Sequence, residues 1–316
     1  MTAPQEPTPG RIDVTAWIGA YPFRDLPHPD PEVLVRVLDR EGFSGAWVGH
    51  LPGAFHRDPV PSNRALYAAL APYRALLHPA PIVRPDWPRW EEMLRAAVNE
   101  GAPAVRAYPM QWGFGPGHPA MTELALACGE AGVALHLTVR FEDLRQRHHL
   151  DGAGDLSAAH VRPIARAAGS RAHLVVAGAS RELIEEVHWG LTPEEQARVW
   201  YDWHWIWGPP EEHFAHLVRT IGAARLAWSS WWPLRLSQQS QALVELLPAD
   251  VAVLPVPNGE GGPFAHGGGI GGSPTHLMVA CKHIENFTGT DCGLDRYPPG
   301  EQVIGRQQQV VLQGRA

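Results

Sequence analysis

The chain has 316 residues, enough for one barrel-sized domain or two smaller ones, and its net charge of −7 argues against a nucleic-acid surface. No apolar run approaches the ~20 residues of a membrane span, and the opening MTAPQEPTPG lacks the apolar segment of a secretion signal. The three cysteines, Cys128, Cys281 and Cys292, show no CxxC spacing and suit a reducing compartment, so a cytoplasmic location is expected.

Residues 1–10 read as a disordered tail. From residue 11 to about 247, short apolar segments rich in β-branched and aromatic residues alternate with helical patterns. The strand-like segments, in chain order, are IDVTAWI, FSGAWVG, ALLHPAPIV, PAVRAY, GVALHLTV, AHLVVAG, RVWYDWH and RLAWSS. Between them, PEVLVRVLDREG, SNRALYAALAPY, WPRWEEMLRAAVNEG and HPAMTELALACGEAG read as helices, the last two amphipathic and ending in glycine. TPEEQARV carries an N-cap threonine, a proline at the first helical position and early acids, and PPEEHFAHLVRTIG repeats the pattern up to Gly222. Eight strands alternating with helices predict an α/β fold of the (β/α)8 barrel type. A doubly wound sheet is disfavoured because the first strand runs into GAYPFRDLPHP rather than a glycine fingerprint. Residues 248–316 are glycine- and proline-rich and predict an irregular C-terminal extension. Its His276, Cys281, His283 and Cys292 match no zinc spacing.

In such a barrel the chemistry sits at the carboxyl ends of the strands. Those ends carry Thr15 and Trp17, His50, Arg84, Arg106 with Tyr108, Thr138 with Arg140, Asp202 with His204, and Ser229 with Ser230. Three arginines on one rim suit a carboxylate, although each alone is better explained by pairing with a neighbouring acid.

Order and motif together resemble the amidohydrolase superfamily, in the amidohydrolase-related branch of decarboxylases and lactone hydrolases. The segments that carry the resemblance are IDVTAWIG, PAVRAYPMQWGFGPGHPAMTELALACGEAGVALHL and VWYDWHW…LVRTIGAARLAWSSWWPL, and it spans residues 11–247. It implies a first strand ending in His-x-His, further histidines after strands five and six, and an aspartate after strand eight, all serving a metal. Here Thr15 and Trp17 stand at the first pair, Thr138 at or near the strand-five ligand, and Ser229 or Ser230 at the aspartate. His136 and His173 lie away from the rim. Hydroxyls are poor zinc ligands and an indole is none, so no metal and no other cofactor is expected.

Two clusters could replace the metal. Arg140-to-Leu150, RFEDLRQRHHL, offers Asp143 and His148 as an acid/base pair, against the alternative of a solvated salt-bridge network. In YDWHWIWG, strand alternation puts Asp202 and His204 on one face, as a catalytic pair or as a core histidine held by an aspartate. Arg106, Tyr108 and Arg140, with the rings of Trp17 and Trp231, are the expected substrate contacts. The leading expectation is a metal-independent, lactonase-like hydrolase acting on a small anionic substrate, with no nucleic-acid or membrane partner and self-association left open. The competing expectation is a barrel that has lost catalysis and binds a ligand or scaffolds a complex.

Overall fold

The computed structural model describes residues 11–167, 172–248, 251, 253–255 and 279–281. Eight parallel strands run in chain order: β1 Arg11–Ile18, β2 Phe43–His50, β3 Leu77–Pro79, β4 Ala104–Ala107, β5 Ala134–Thr138, β6 Leu174–Ala177, β7 Val199–Asp202 and β8 Leu226–Ala227. They form two sheets, β1-β2-β3 and β4-β5-β6-β7-β8. Backbone hydrogen bonds join the sheets on both sides. Pro79, the last residue of β3, and Pro81 just past it have no N–H to donate, which cuts the strand short. The chain still meets β4 there, as Arg106 N donates to Pro81 O (2.8 Å) and Val83 N to Arg106 O (3.1 Å). Past β8, Val14 N donates to Trp228 O (3.0 Å), Trp231 N to Thr15 O (3.0 Å) and Trp17 N to Trp232 O (2.8 Å). The ring of strands expected from the alternation is therefore bonded all the way round.

The helices are α1 Pro31–Glu41, α2 Val60–Leu70, α3 Trp90–Asn99, α4 Pro119–Ala131, α5 Ala158–Ala167, α6 Arg181–Trp189, α7 Pro193–Gln196, α8 Phe214–Ile221 and α9 Gln238–Glu245. Their ends follow local chemistry. α1 starts at a proline and stops at Gly42 in the left-handed region, where the glycine N–H reaches back to Leu38 and Asp39 carbonyls. α7 carries a full capping box, with Thr192 and Glu195 each serving the other's backbone N–H. The helix expected from Pro209 begins only at Phe214, because Pro209 to His213 form turns in which Glu212 N and His213 N both donate to Pro209 O.

Two of the three apolar layers lie inside the barrel. Ile12, Val14, Trp47, Ala80, Ala104, Ala134, Val175, Trp200 and Ala227 fill its lower end. A larger cluster, including Ala16, Val48, Leu135, Val176 and Tyr201, joins the strands to the helices. β1 changes face on the way up. Its register with β2 shifts between Asp13 and Ala16, so Ile12 and Val14 belong to the inner cluster while Ala16 and Ile18 join the outer one. The shift turns Thr15 and Trp17 inward near the mouth. Asp13 does not share their face as simple alternation predicts, because its carboxylate accepts from Thr15 N (3.0 Å), Ser230 N (3.0 Å) and Ser230 Oγ (2.5 Å). It clamps β1 to the segment after β8.

Val253–Pro255 and Val279–Cys281 pair as an antiparallel ribbon. The expected tail over residues 1–10, and the rest of residues 249–316 apart from Val251, lie outside the described residues, as do His276, His283 and Cys292. No helix among the described residues is long and apolar enough to cross a membrane.

Candidate functional site

The upper interior of the barrel has two tiers. The lower tier is polar, consisting of Thr15, Arg106, His136 and Asp202, all fully or almost fully buried. Arg106 crosses the barrel from β4. Its Nη2 donates to Ala16 O (3.1 Å) and Trp47 O (3.0 Å), and its guanidinium lies 4.7 Å from the Trp17 ring centroid. The Tyr108 hydroxyl stands beside it, and Nε and Nη1 complete no well-formed hydrogen bond. Burial pushes the guanidinium's pKa down. Tyr108, Asp13 and Asp202 push it back up. Room for this side chain comes from Gly49, where a Cβ would stand 2.8 Å from Arg106 Nε and 2.9 Å from Trp17 Cδ1.

Asp202, at the end of β7, accepts from Gly178 N (2.9 Å) and Trp231 Nε1 (2.6 Å). Burial raises its pKa to about 6 against those hydrogen bonds. Thr15 Oγ1 lies 3.0 Å from His136 Nε2, whose ring is kept neutral by burial and by the nearby Arg106.

The upper tier is aromatic. Trp17, Tyr21, Tyr108, Phe141, Trp205 and Trp231 are at most 5% exposed and belong to one cluster. Trp231 is its hub, 5.0 Å from Trp17 and 5.4 Å from Trp205 between ring centroids. It takes a left-handed backbone, φ 57°, which is costly for a bulky residue. That conformation aims the indole inward, where its N–H meets Asp202. Gly178 makes way for the ring, since a Cβ there would stand 2.9 Å from two ring carbons. Gly178→Ala is expected to cost about 2–4 kcal/mol, from overpacking and from a side chain at positive φ. Urea unfolding measures this, and a loss below about 0.5 kcal/mol would mean the indole moves freely.

The sequence-predicted residues divide between this core and the surface. Arg106, Tyr108, Trp17, Trp231 and Asp202 converge inside the barrel, but they bond to one another and are closed to solvent. Asp202 and His204 do not pair. β7 ends at Asp202, so alternation no longer governs residue 204. Ser240 Oγ gives its proton to Ser229 O (2.6 Å), so His204 must donate from Nδ1 to Ser240 Oγ (2.8 Å), and its Nε2 makes no hydrogen bond. The Trp231 ring stacks on His204 at 6.1 Å while its N–H bonds Asp202, standing between the two.

The strand-five loop is a salt-bridge network. Asp143 takes Arg145 (2.7 Å), which with the Arg145 backbone N–H holds its carboxyl at about 2. Arg140 pairs with Asp155 (3.2 Å) and lies over Trp205, and Arg147 also holds Asp155. His148 stacks on Phe23 and does not pair with Asp143. Arg84 is forked onto Asp86. The three expected rim arginines therefore do not gather around one open position.

A divalent metal does not fit these residues. Thr15 is engaged with His136, the Trp17 N–H donates to Tyr108 (3.2 Å), Asp202 is capped by Trp231, Ser230 is bonded to Asp13, and a guanidinium occupies the space between. Among the described residues no three His, Cys, Asp or Glu side chains gather as a donor set.

The class defined by this architecture is the (β/α)8 barrel. A 2,6-dihydroxybenzoate decarboxylase from Rhizobium superposes with a TM-score of 0.55 and 13% identity, over 75% of this chain and 92% of that one. A dihydroxybenzoic acid decarboxylase from Polaromonas, with bound manganese and 2-nitroresorcinol, gives 0.53 and 13% over 75% and 90%. A protein described as a 2-pyrone-4,6-dicarboxylic acid hydrolase from Acinetobacter baumannii, with citric acid bound, gives 0.52 and 12% over 74% and 90%. No family model matches the sequence, and no curated protein matches it. The chain thus shares the fold of these proteins at low identity.

Sequence reasoning missed Phe141, Arg24 and Arg235. Phe141 follows Arg140 directly and adds a ring to the mouth. Arg24 and Arg235 flank Glu142 from opposite ends of the chain, and no local pattern joins them.

Proposed function

We propose that this chain is an amidohydrolase-type barrel without barrel-centre chemistry, acting as a binding protein for a small anionic molecule. The observation that supports it is the filled mouth, in which Trp231 caps Asp202 and no polar group of the lower tier reaches solvent. A substrate needs contact with the reacting groups within hydrogen-bond range, and here the protein's own rings hold that position. The fold's usual metal-activated water also lacks its ligands.

A second reading keeps one favourable observation, the Asp202 carboxyl raised to about 6, which is a useful value for an acid or base. It supports a metal-independent, lactonase-like hydrolase in which the aromatic tier opens to admit substrate. The two readings part on two measurements. Protein expressed with added zinc and manganese is expected to carry no stoichiometric metal, and carboxylated lactones are expected to show no turnover above the Asp202→Asn background. Metal at one equivalent, lost in Asp202→Asn, would sink both metal-free readings. Lactone turnover abolished by Asp202→Asn and His204→Ala would replace the binding reading with the hydrolase.

A further inference from the structure

Beside the filled mouth lies an open cleft of ≈ 680 Å³, lined in part by Arg24, Glu142, Leu234, Arg235, Leu236 and Ala242. Its size falls within the range of small-molecule sites. Its charge is unbalanced, because two guanidiniums share one carboxylate. Arg24 Nε takes Glu142 Oε1 at 2.8 Å, and the other end of the Arg24 guanidinium donates to Leu234 O (2.7 Å). Arg235 Nη2 stands 3.7 Å from Glu142 Oε2, beyond hydrogen-bond range, and is buried without a bonded partner. The nearby acids are already engaged, Asp143 with Arg145 and Glu41 with Arg40. One positive charge is therefore left over.

Arg235 is also held in place. Its guanidinium stacks 4.4 Å from the Trp205 ring centroid and 5.7 Å from that of Trp207. A cation fixed on an aromatic face loses little freedom when an anion arrives. The opposite wall is aliphatic, with Leu236 69% exposed beside two cations. An exposed leucine there offers apolar surface to the body of a ligand.

We infer that this cleft binds a small aliphatic monocarboxylate, its carboxylate on Arg235 and Arg24 and its chain against Leu234, Leu236 and Ala242. A single charge matches the single excess guanidinium, with Glu142 opposing any second negative charge. The inference deepens the binding-protein reading by giving it a site and a ligand class. It does not depend on the barrel centre being inert.

The test is calorimetric titration of the intact chain with hexanoate, with hexanamide and hexylamine as uncharged and cationic matches. Hexanoate is expected to bind and the other two not. Arg235→Gln is expected to weaken hexanoate about tenfold or more, the worth of a charge-assisted pair. Arg235 supports Trp205, so two variants at exposed side chains guard against a folding artefact. Arg24→Gln removes one guanidinium, and Leu236→Asp places a negative charge on the wall. Both are expected to lose affinity, and Leu236→Asp to do so at the unliganded melting temperature of the wild type, since Arg24 also holds the buried Glu142. Equal binding of hexanoate and hexanamide, no heat at millimolar hexanoate, or wild-type affinity in both exposed variants would each overturn the proposal. Lactone turnover would defeat only the reading of the barrel centre, so the two failures are distinguishable.

Discussion

Replacing Trp231 with alanine is expected to destabilise the protein by about 3–5 kcal/mol, among the largest effects of any single change in the barrel. The indole is fully buried, touches Trp17 and Trp205, and gives its N–H to Asp202 at 2.6 Å. Alanine removes the packing and leaves a carboxyl oxygen without its donor. Trp231→Phe separates the two contributions. It keeps most of the ring and loses only the donor, so a cost of about 1–3 kcal/mol is expected. The alanine variant should also bind free indole, which refills the vacated space and restores part of the lost stability, as expected of a cavity with apolar walls. Urea unfolding with and without indole reads all three effects. If Trp231→Ala loses less than about 1 kcal/mol, the ring is a mobile cover and the filled mouth is no barrier to a substrate.

The second large effect concerns acid, where two sets of buried groups oppose one another. Burial, with Arg235 nearby, lowers the His204 pKa to about 3, and burial with Arg106 keeps His136 well below the ordinary histidine value. In the unfolded chain both take up protons near pH 6.5, so over the interval from about 6.5 down to 3 the unfolded state binds protons that the folded state refuses. Stability therefore falls as pH drops, by about 2 kcal/mol for each such ring at pH 5. Asp202 has the opposite sign. Its folded pKa is raised to about 6, so between pH ~4 and ~6 the folded state holds a proton that the unfolded state has released. That contribution, about 3 kcal/mol at most, is present at low pH and disappears as pH rises through 6. Asp13, also raised by burial, adds in the same direction as Asp202. The wild-type protein is expected to be only mildly acid-sensitive over this interval. Asp202→Asn removes the compensating group and should steepen the loss of stability toward acid, whereas His204→Gln should flatten it. Denaturation midpoints between pH 4.5 and 7.5 measure both slopes. An Asp202→Asn slope equal to that of the wild type would falsify the raised carboxyl.

The barrel was legible in the sequence because its signals are local. Short β-branched and aromatic runs, the Gly42 and Gly132 stops, and the Thr192-Pro193 start each specify a few residues without help from afar. The misplaced start of α8 has a local cause too, since Pro209 and Pro210 favour a turn as well as a first helical position. The inward group was also partly legible. Arg106, Tyr108, Asp202 and Trp17 stand at strand ends and do point into the barrel. What sequence could not give was whether that interior is open. Openness depends on rings 17, 108, 141, 205 and 231 meeting across the mouth, and on the left-handed turn at Trp231 that sends its indole toward Asp202. The expected Asp202/His204 pair failed for a related reason. Period-two reasoning was carried two residues past the end of the strand, where Ser240 rather than Asp202 sets the histidine's direction.

Arg106 bears on any attempt to build catalysis into this barrel. Its guanidinium lies 4.7 Å from the ring of Trp17, one of the two β1 positions where the resembled family carries metal-binding histidines. Writing histidines back at residues 15 and 17 would invite a dication to settle against a fixed positive charge in a poorly screened interior. The repulsion would cancel much of the new ligands' affinity, however good their geometry. A redesign has to begin on β4, by replacing Arg106 with a neutral side chain, and only then restore the ligands. The order of substitutions would decide whether any intermediate variant holds metal at all.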